Sequence, residues 1–318
     1  MSRSCDTLGT TEGKVTGLFG RKKPAVPPWA AGMSESRYEA FVAAVGAYFT
    51  GQPYEIGDGV VRTGDGFEYG LVNAAQRCAQ LDPREYAGFL AAQFDSIAAA
   101  ARFRAGLDTK SLESVRQYLA VRVYPAEWAA RLDPTGVVSR PLAGDLAAVL
   151  VYDFPQTIEN VAAEDVPGWG KTVDELFEIG TDNVRRAYPL TPAPMELGGQ
   201  SCFVVETDHF FAANIVFELE RHAGLLGAGG ALVALPTRSV AIVYPIADLG
   251  VTQAIQVVIM VAQDACAAGP GSLTDQVFWC HDGQIEILNY QVRGRTLSVI
   301  PSDAFQEMLN TLAAPGSA

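Results

Sequence analysis

The sequence is poor in the residues from which most recognisable chemistry is built. It has three histidines, His209, His222 and His281, and none belongs to an H-E-x-x-H motif or to a close Cys/His cluster. Its cysteines, Cys5, Cys78, Cys202, Cys266 and Cys280, are odd in number and widely spaced, with no C-x-x-C pair. That spacing excludes a zinc ribbon or a disulfide framework and predicts reduced thiols. Long apolar runs are missing too. The longest uncharged one, Leu249 to Gln263, has fifteen residues, three of them Gln. A bilayer core needs about 20 mostly apolar residues, so no membrane span is expected. The first 23 residues hold no apolar run that could serve a secretory signal, and the expected location is the cytoplasm. Lysine is scarce, 5 against 18 arginines, a bias that Ala-, Gly- and Val-rich sequences of GC-rich bacterial genomes share.

What is present is acidic and core-forming. There are 36 acidic against 23 basic residues in 318, a net charge of −13, which speaks against nucleic acid or anionic membrane as a partner. Hydrophobic residues make up 49%, enough for a sizeable core without metal or disulfide support.

Texture divides the chain into three. Residues 1–33 read as a flexible tail, with Arg21-Lys22-Lys23 leading into the stiff Pro24-Ala25-Val26-Pro27-Pro28. Residues 34–132 read as a mainly helical lobe. Its first helix opens on a Ser36/Glu39 capping box, a small hairpin lies within Tyr54–Tyr69, and a helix over 71–79 follows. The next begins at Asp82-Pro83-Arg84-Glu85 and carries the stripe Tyr86, Phe89, Leu90, Phe94 and Ile97; a shorter one covers 110–119. Residues 133–318 read as an α+β lobe. Strands are expected at Val137-Val138, 146–152, 157–161, 202–206, 231–235 and 240–244. Helices are expected over 173–186, 209–222 and 248–265, and the end is a hairpin, 277–281 and 284–288, across Asp282-Gly283. Hairpin followed by helix occurs around 146–186 and again around 231–265. Hairpins alternating with helices, without regular βαβ crossovers, predict an α+β fold with mixed or antiparallel sheets.

Motif by motif, the familiar chemistries fail on spacing. Gly170-Lys171-Thr172 closes like a P-loop, but Asp165 stands where the first glycine must be, and Thr172 with Glu175 makes a capping box instead. Gly224 to Gly230 ends a helix where a dinucleotide turn should begin one. Cys280-His281-Asp282 places nucleophile, base and acid on consecutive strand positions, whose side chains point to opposite faces. No cofactor or metal is expected. One polar spot carries more weight. Thr237-Arg238 turns between two strongly apolar strands, and the junction Asp208-His209-Phe210 lies beside it if those strands share a sheet. These five residues are the candidate binding site.

From Leu146 onward the chain resembles the YtpQ-type family of uncharacterised bacterial proteins. The resemblance rests on Thr172-Val-Asp-Glu-Leu-Phe177 through Asn183-Val-Arg-Arg186, on Asp208-His-Phe-Phe-Ala-Ala-Asn214 and on Ala231-Leu-Val-Ala-Leu-Pro-Thr-Arg238. It implies an intracellular α+β protein and transfers no activity. The leading expectation is an accessory factor that binds another protein. The alternatives are a hydrolase-like enzyme using Asp208, His209 and Arg238, and a self-assembling subunit packed through the apolar helix 251–262.

Overall fold

In a computed structural model of the chain, residues 26–131, 136–268, 271–293 and 296–314 are described. The expected basic run Arg21-Lys22-Lys23 lies outside them. The chain divides into two compact units, residues 1–101 and 102–318.

The first unit is built from amphipathic helices closing on aromatic side chains. A 3₁₀ turn, Pro28–Ala30, precedes α1 (Glu35–Tyr48), and Ala30 and Met33 are buried, so order begins inside the stretch expected to be tail. Ser34, not Ser36, caps α1: its Oγ accepts from the Arg37 amide. Met33 before the cap and Tyr38 in the first turn belong to one core, a hydrophobic staple that fixes the earlier start. Strands β1 (Tyr54–Gly57), β2 (Val60–Thr63) and β3 (Glu68–Gly70) form a three-stranded antiparallel sheet. Helices α2 (Val72–Cys78) and α3 (Tyr86–Ala105) follow. The Asp82/Glu85 capping box is formed, on a 3₁₀ turn that runs into α3. Of the stripe on α3, Tyr86, Leu90 and Phe94 are fully buried, and Phe49 and Phe94 meet at 5.1 Å. Each such ring contributes about 1.5–3 kcal/mol through burial.

The second unit is an α+β assembly of antiparallel sheets. Its elements are α4 (Leu112–Val115), β4 (Leu119–Pro125), α5 (Ala126–Arg131), β5 (Ser139–Ala143), β6 (Leu146–Phe154), β7 (Thr157–Asn160) and α6 (Val173–Ala187). Then come β8 (Ala193–Leu197), β9 (Gln200–Glu206), β10 (Ala231–Thr237), β11 (Val240–Pro245) and α7 (Val251–Ala268). The chain closes with β12 (Val277–His281), β13 (Gln284–Ile287), β14 (Asn289–Arg293), β15 (Thr296–Ile300) and α8 (Asp303–Ala313).

The first sheet of this unit pairs β4 with β6, and β5 and β7 with β6 as well. Because β4 pairs with β6 along its whole length, the textural change near residue 133 is no boundary between units; it falls inside one sheet. The outer edge of β4 is satisfied by side chains: Asn183 Nδ2 donates to the Leu119 carbonyl and Asn214 Nδ2 to that of Val121, both at 2.8 Å. The second sheet runs β13-β12-β10-β11-β9-β8. One of its faces packs with Val123 and Leu146 of the first sheet. The other is covered by α7 through Val251, Ala254, Ile255, Val258 and Ile259, joined by Phe305 of α8. The apolar stripe of α7 is therefore core.

Three expectations are corrected. Val137 and Val138 are buried but precede the strand, which begins at Ser139. Residues 209–222 form no α-helix; 3₁₀ turns at Ala212–Phe217 and Leu219–Arg221 take their place, and Asp208 caps neither. Phe211 to Ile215 are five consecutive buried residues, which one face of an α-helix cannot supply. The hairpin 277–287 is not the end, since β14, β15 and α8 follow. Its turn is as expected, with positive φ at both Asp282 and Gly283. No helix among the described residues is long and apolar enough to cross a membrane.

Candidate functional site

The β10–β11 turn and the segment after β9 are sewn together by backbone and hydroxyl groups. The Thr207 amide donates to the Ser239 carbonyl at 3.0 Å, and the Ala212 amide to the Arg238 carbonyl at 3.1 Å. Thr207 Oγ1 and Ser239 Oγ both donate to the His209 carbonyl, at 2.8 and 3.2 Å. Thr237 is buried, and its Oγ1 accepts from the Ser239 amide. It shapes the turn. Asp208 is exposed.

This stitching holds Phe210 against the turn with its ring 40% exposed, and the Arg238 guanidinium carbon sits 4.1 Å from the ring centroid. Arg238 reaches that place beside Gly271, which accepts its amide and has a φ of +80°. A side chain at Gly271 would collide with the Arg238 guanidinium.

A second arginine approaches the same ring. Arg122, on β4 opposite Val149, has its guanidinium carbon 5.3 Å from the Phe210 centroid and 4.7 Å from that of Tyr124. Tyr124 in turn stacks on Trp128 at 4.1 Å. Arg122 is only 7% exposed, its Nε has no hydrogen-bond partner, and no carboxylate forms an ion pair with it or with Arg238 among the described residues. Burial pulls its pKa down from the usual arginine value and Arg238 adds to that, while Tyr124 and, more weakly, Asp153 oppose it. An unpaired buried charge costs several kcal/mol before compensation, and cation–π contacts return about 0.5–2 kcal/mol each. Such a group is expensive to keep.

Phe210 also lines a pocket of about 370 Å³, together with Tyr118, Asp153, Ile158, Tyr188 and His209 among others. Tyr188 Oη donates to Asp153 Oδ2 at 2.6 Å, and the Tyr188 and His209 rings lie 4.8 Å apart. Burial raises the Asp153 carboxyl above its ordinary value, while the Tyr188 hydrogen bond, Arg122 and His209 restrain it. Burial and the Asp153 bond push the Tyr188 phenol up to about 12. Burial lowers His209, against the pull of Asp208 and Asp153. His209 Nδ1 accepts from the Phe211 amide at 3.2 Å, so the neutral ring carries its proton on Nε2. It is set to donate a hydrogen bond.

A wider cleft of about 870 Å³ lies elsewhere in this unit, between Arg140, Arg185, Glu218 and His281. Its two arginines named here are already matched: Arg185 pairs with Glu218 and Asp182, and Arg140 with Asp174. Among the described residues no group of three or more His, Cys, Asp or Glu could hold a metal ion. Cys78, Cys202, Cys266 and Cys280 are free, and burial pushes Cys280 up to about 12 and Cys78 to about 11. Those thiols are unreactive at neutral pH.

Of the residues singled out from sequence, His209 and Phe210 line the pocket, Arg238 lies over the ring of Phe210, Thr237 supports the turn, and Asp208 faces solvent. Sequence reasoning missed Arg122, Tyr124, Asp153 and Tyr188. The one available signal was Arg122 between the apolar Val121 and Val123 of a strand. Compared with protein-family models, with curated proteins and with solved structures, the chain finds no match.

Proposed function

We propose that the chain is a cytoplasmic accessory protein that binds a partner protein through the Phe210 pocket. The observation that carries this reading is Phe210 itself, a large aromatic left 40% exposed at a concave pocket and approached by two arginines that form no close ion pair among the described residues. Exposed aromatics and arginines around a pocket are the groups on which interface energy concentrates. The tautomer of His209 favours binding over hydrolysis. Its Nδ1 is occupied by the Phe211 amide and its Nε2 carries the proton, so the neutral ring donates where a hydrolase would need a base. Kinship with YtpQ-type proteins belongs to the same proposal and adds a scaffold without an activity.

The test is quantitative affinity purification of the tagged chain at native level from its own cells. Wild type runs beside Phe210→Ala and beside Met260→Ala, which alters an exposed residue of α7. A partner retained by wild type and Met260→Ala, and reduced at least tenfold by Phe210→Ala, is the expected result. Equal recovery by all three overturns the reading.

A further inference from the structure

The two arginines beside Phe210 specify the chemistry of what the pocket takes. We propose that the site binds a carboxylate carried on an apolar body, with the carboxylate at Arg122 and Arg238 and the body in the Phe210 pocket. This rests on the reading of that pocket as a binding site.

Three observations point the same way. In a chain with 36 acidic and 23 basic residues, neither guanidinium forms a close ion pair among the described residues, and Asp153 acts on Arg122 only from a distance. Arg122 is more than nine-tenths buried with Nε unpartnered, and it shares one aromatic ring with Arg238. Two like charges this near each other destabilise one another unless an anion joins them, and Arg238 is among the causes of the depressed Arg122 pKa. A guanidinium is a planar fork that matches a carboxylate with two parallel hydrogen bonds.

The neighbouring walls define the rest of the ligand. Tyr118, Phe154, Ile158 and Tyr188 give the pocket an apolar lining suited to an aromatic or aliphatic side chain. Asp153 lines it as well, and with the net charge of −13 it disfavours a dianion. A singly charged carboxylate meets two cations and one acid; a phosphate dianion would meet the same acid with twice the charge. His209, with its proton on Nε2, supplies a neutral donor at the same wall. The chemistry is that of a chain terminus ending in an apolar residue, and equally of a free apolar acid.

Isothermal titration of the full chain separates these. The probes are an acetylated tripeptide ending in phenylalanine with a free carboxylate, the same peptide amidated, 3-phenylpropionate, and inorganic phosphate. The free-carboxylate peptide is expected to bind at least tenfold more tightly than its amide, and Arg238→Met to remove that difference while leaving the melting temperature unchanged. Arg122→Lys, which keeps the charge but not the fork, is expected to weaken the peptide at least fivefold. Tighter binding of the peptide than of 3-phenylpropionate assigns the ligand to a partner's chain end; equal binding assigns it to a free acid; either supports the carboxylate. Equal affinity for acid and amide, phosphate binding as tightly as the peptide, or no binding of any probe overturns the proposal. Loss of the partner in Phe210→Ala under those outcomes leaves the binding reading standing, so the two fail separately.

Discussion

The two sheets of the second unit differ in what they bury. The six-stranded sheet buries hydrocarbon on both faces: all seven residues of β10 are buried, and Thr237 at its end is the one polar side chain among them. The sheet built on β4 and β6 buries Arg122, Tyr152 and, against its edge, Asn214. Five buried side-chain polar atoms lack a hydrogen-bond partner among the described residues. Arg122 Nε, Tyr152 Oη and Asn214 Oδ1 are three of them, and none lies on the six-stranded sheet. Buried polar groups are normally satisfied, and departures concentrate where structure is kept for something other than stability. The larger sheet thus acts as scaffold, and the smaller one carries the costs of a site.

The largest effect that would break this comparison belongs to the scaffold. Phe278 on β12 is 1% exposed and sits in the core shared by both sheets. Phe278→Ala is expected to lose about 3–5 kcal/mol in urea denaturation, since a buried ring leaves a cavity its neighbours cannot fill. A loss below about 1 kcal/mol would mean that the six-stranded sheet does not dominate stability.

Next comes the edge of the smaller sheet. Asn214 lies 93 residues from Val121 in sequence yet donates to its carbonyl. Asn214→Leu leaves that carbonyl unpaired and is expected to cost about 1–3 kcal/mol, the desolvation penalty of one buried acceptor. The same measurement on Asn183→Ala, whose amide also bonds the β4 edge but lies nearer solvent, is expected to show a smaller loss.

Arg122→Met inverts the sign. Removing a buried charge that forms no close ion pair among the described residues, while keeping its aliphatic length, is expected to raise stability by about 1 kcal/mol. The equivalent Val233→Met on the six-stranded sheet is expected to lower it through overpacking. If Arg122→Met destabilises by several kcal/mol, the arginine is structural and the contrast between the sheets collapses.

The sequence displayed the scaffold more openly than the site, for a physical reason. Strands β6, β9, β10, β11 and β12 are dense apolar runs bounded by turn residues, and their pattern is local. Strand β4 escaped because it lies in a stretch that read as mainly helical, although Arg122 and Tyr124 alternate with Val121 and Val123, and residues 209–222 misled because Phe211, Ile215 and Leu219 fall at helical spacing while packing in 3₁₀ turns. Phe210 and Arg238 were reachable, since a turn and a strand junction in one sheet must lie close together. Arg122, Asp153 and Tyr188 were not. They join the site through contacts between distant parts of the chain, such as the bond between Tyr188 and Asp153, and no local pattern announces them.

The smallest effect is the one that separates the sheets by titration. Cys280, the buried ionisable group on the core face of the larger sheet, is pushed up to about 12 and stays neutral throughout the physiological range. His209 at the smaller sheet has a folded pKa below the unfolded value near 6.5, because burial disfavours its charged form. Between those two values the unfolded chain binds more protons than the folded one. Stability is therefore fully present above 6.5 and falls as the pH drops toward the folded pKa. Asp153 acts in the opposite direction. Its folded pKa is raised, so its contribution is present below the unfolded carboxyl value and declines as pH rises through the folded one. Urea midpoints at pH 7.5 and 5.5 are expected to differ more for wild type than for His209→Asn, whose Oδ1 can still accept the Phe211 amide. Equal differences would show that His209 is as indifferent to protonation as a surface histidine, and would remove its neutral, donating form from the account of the site.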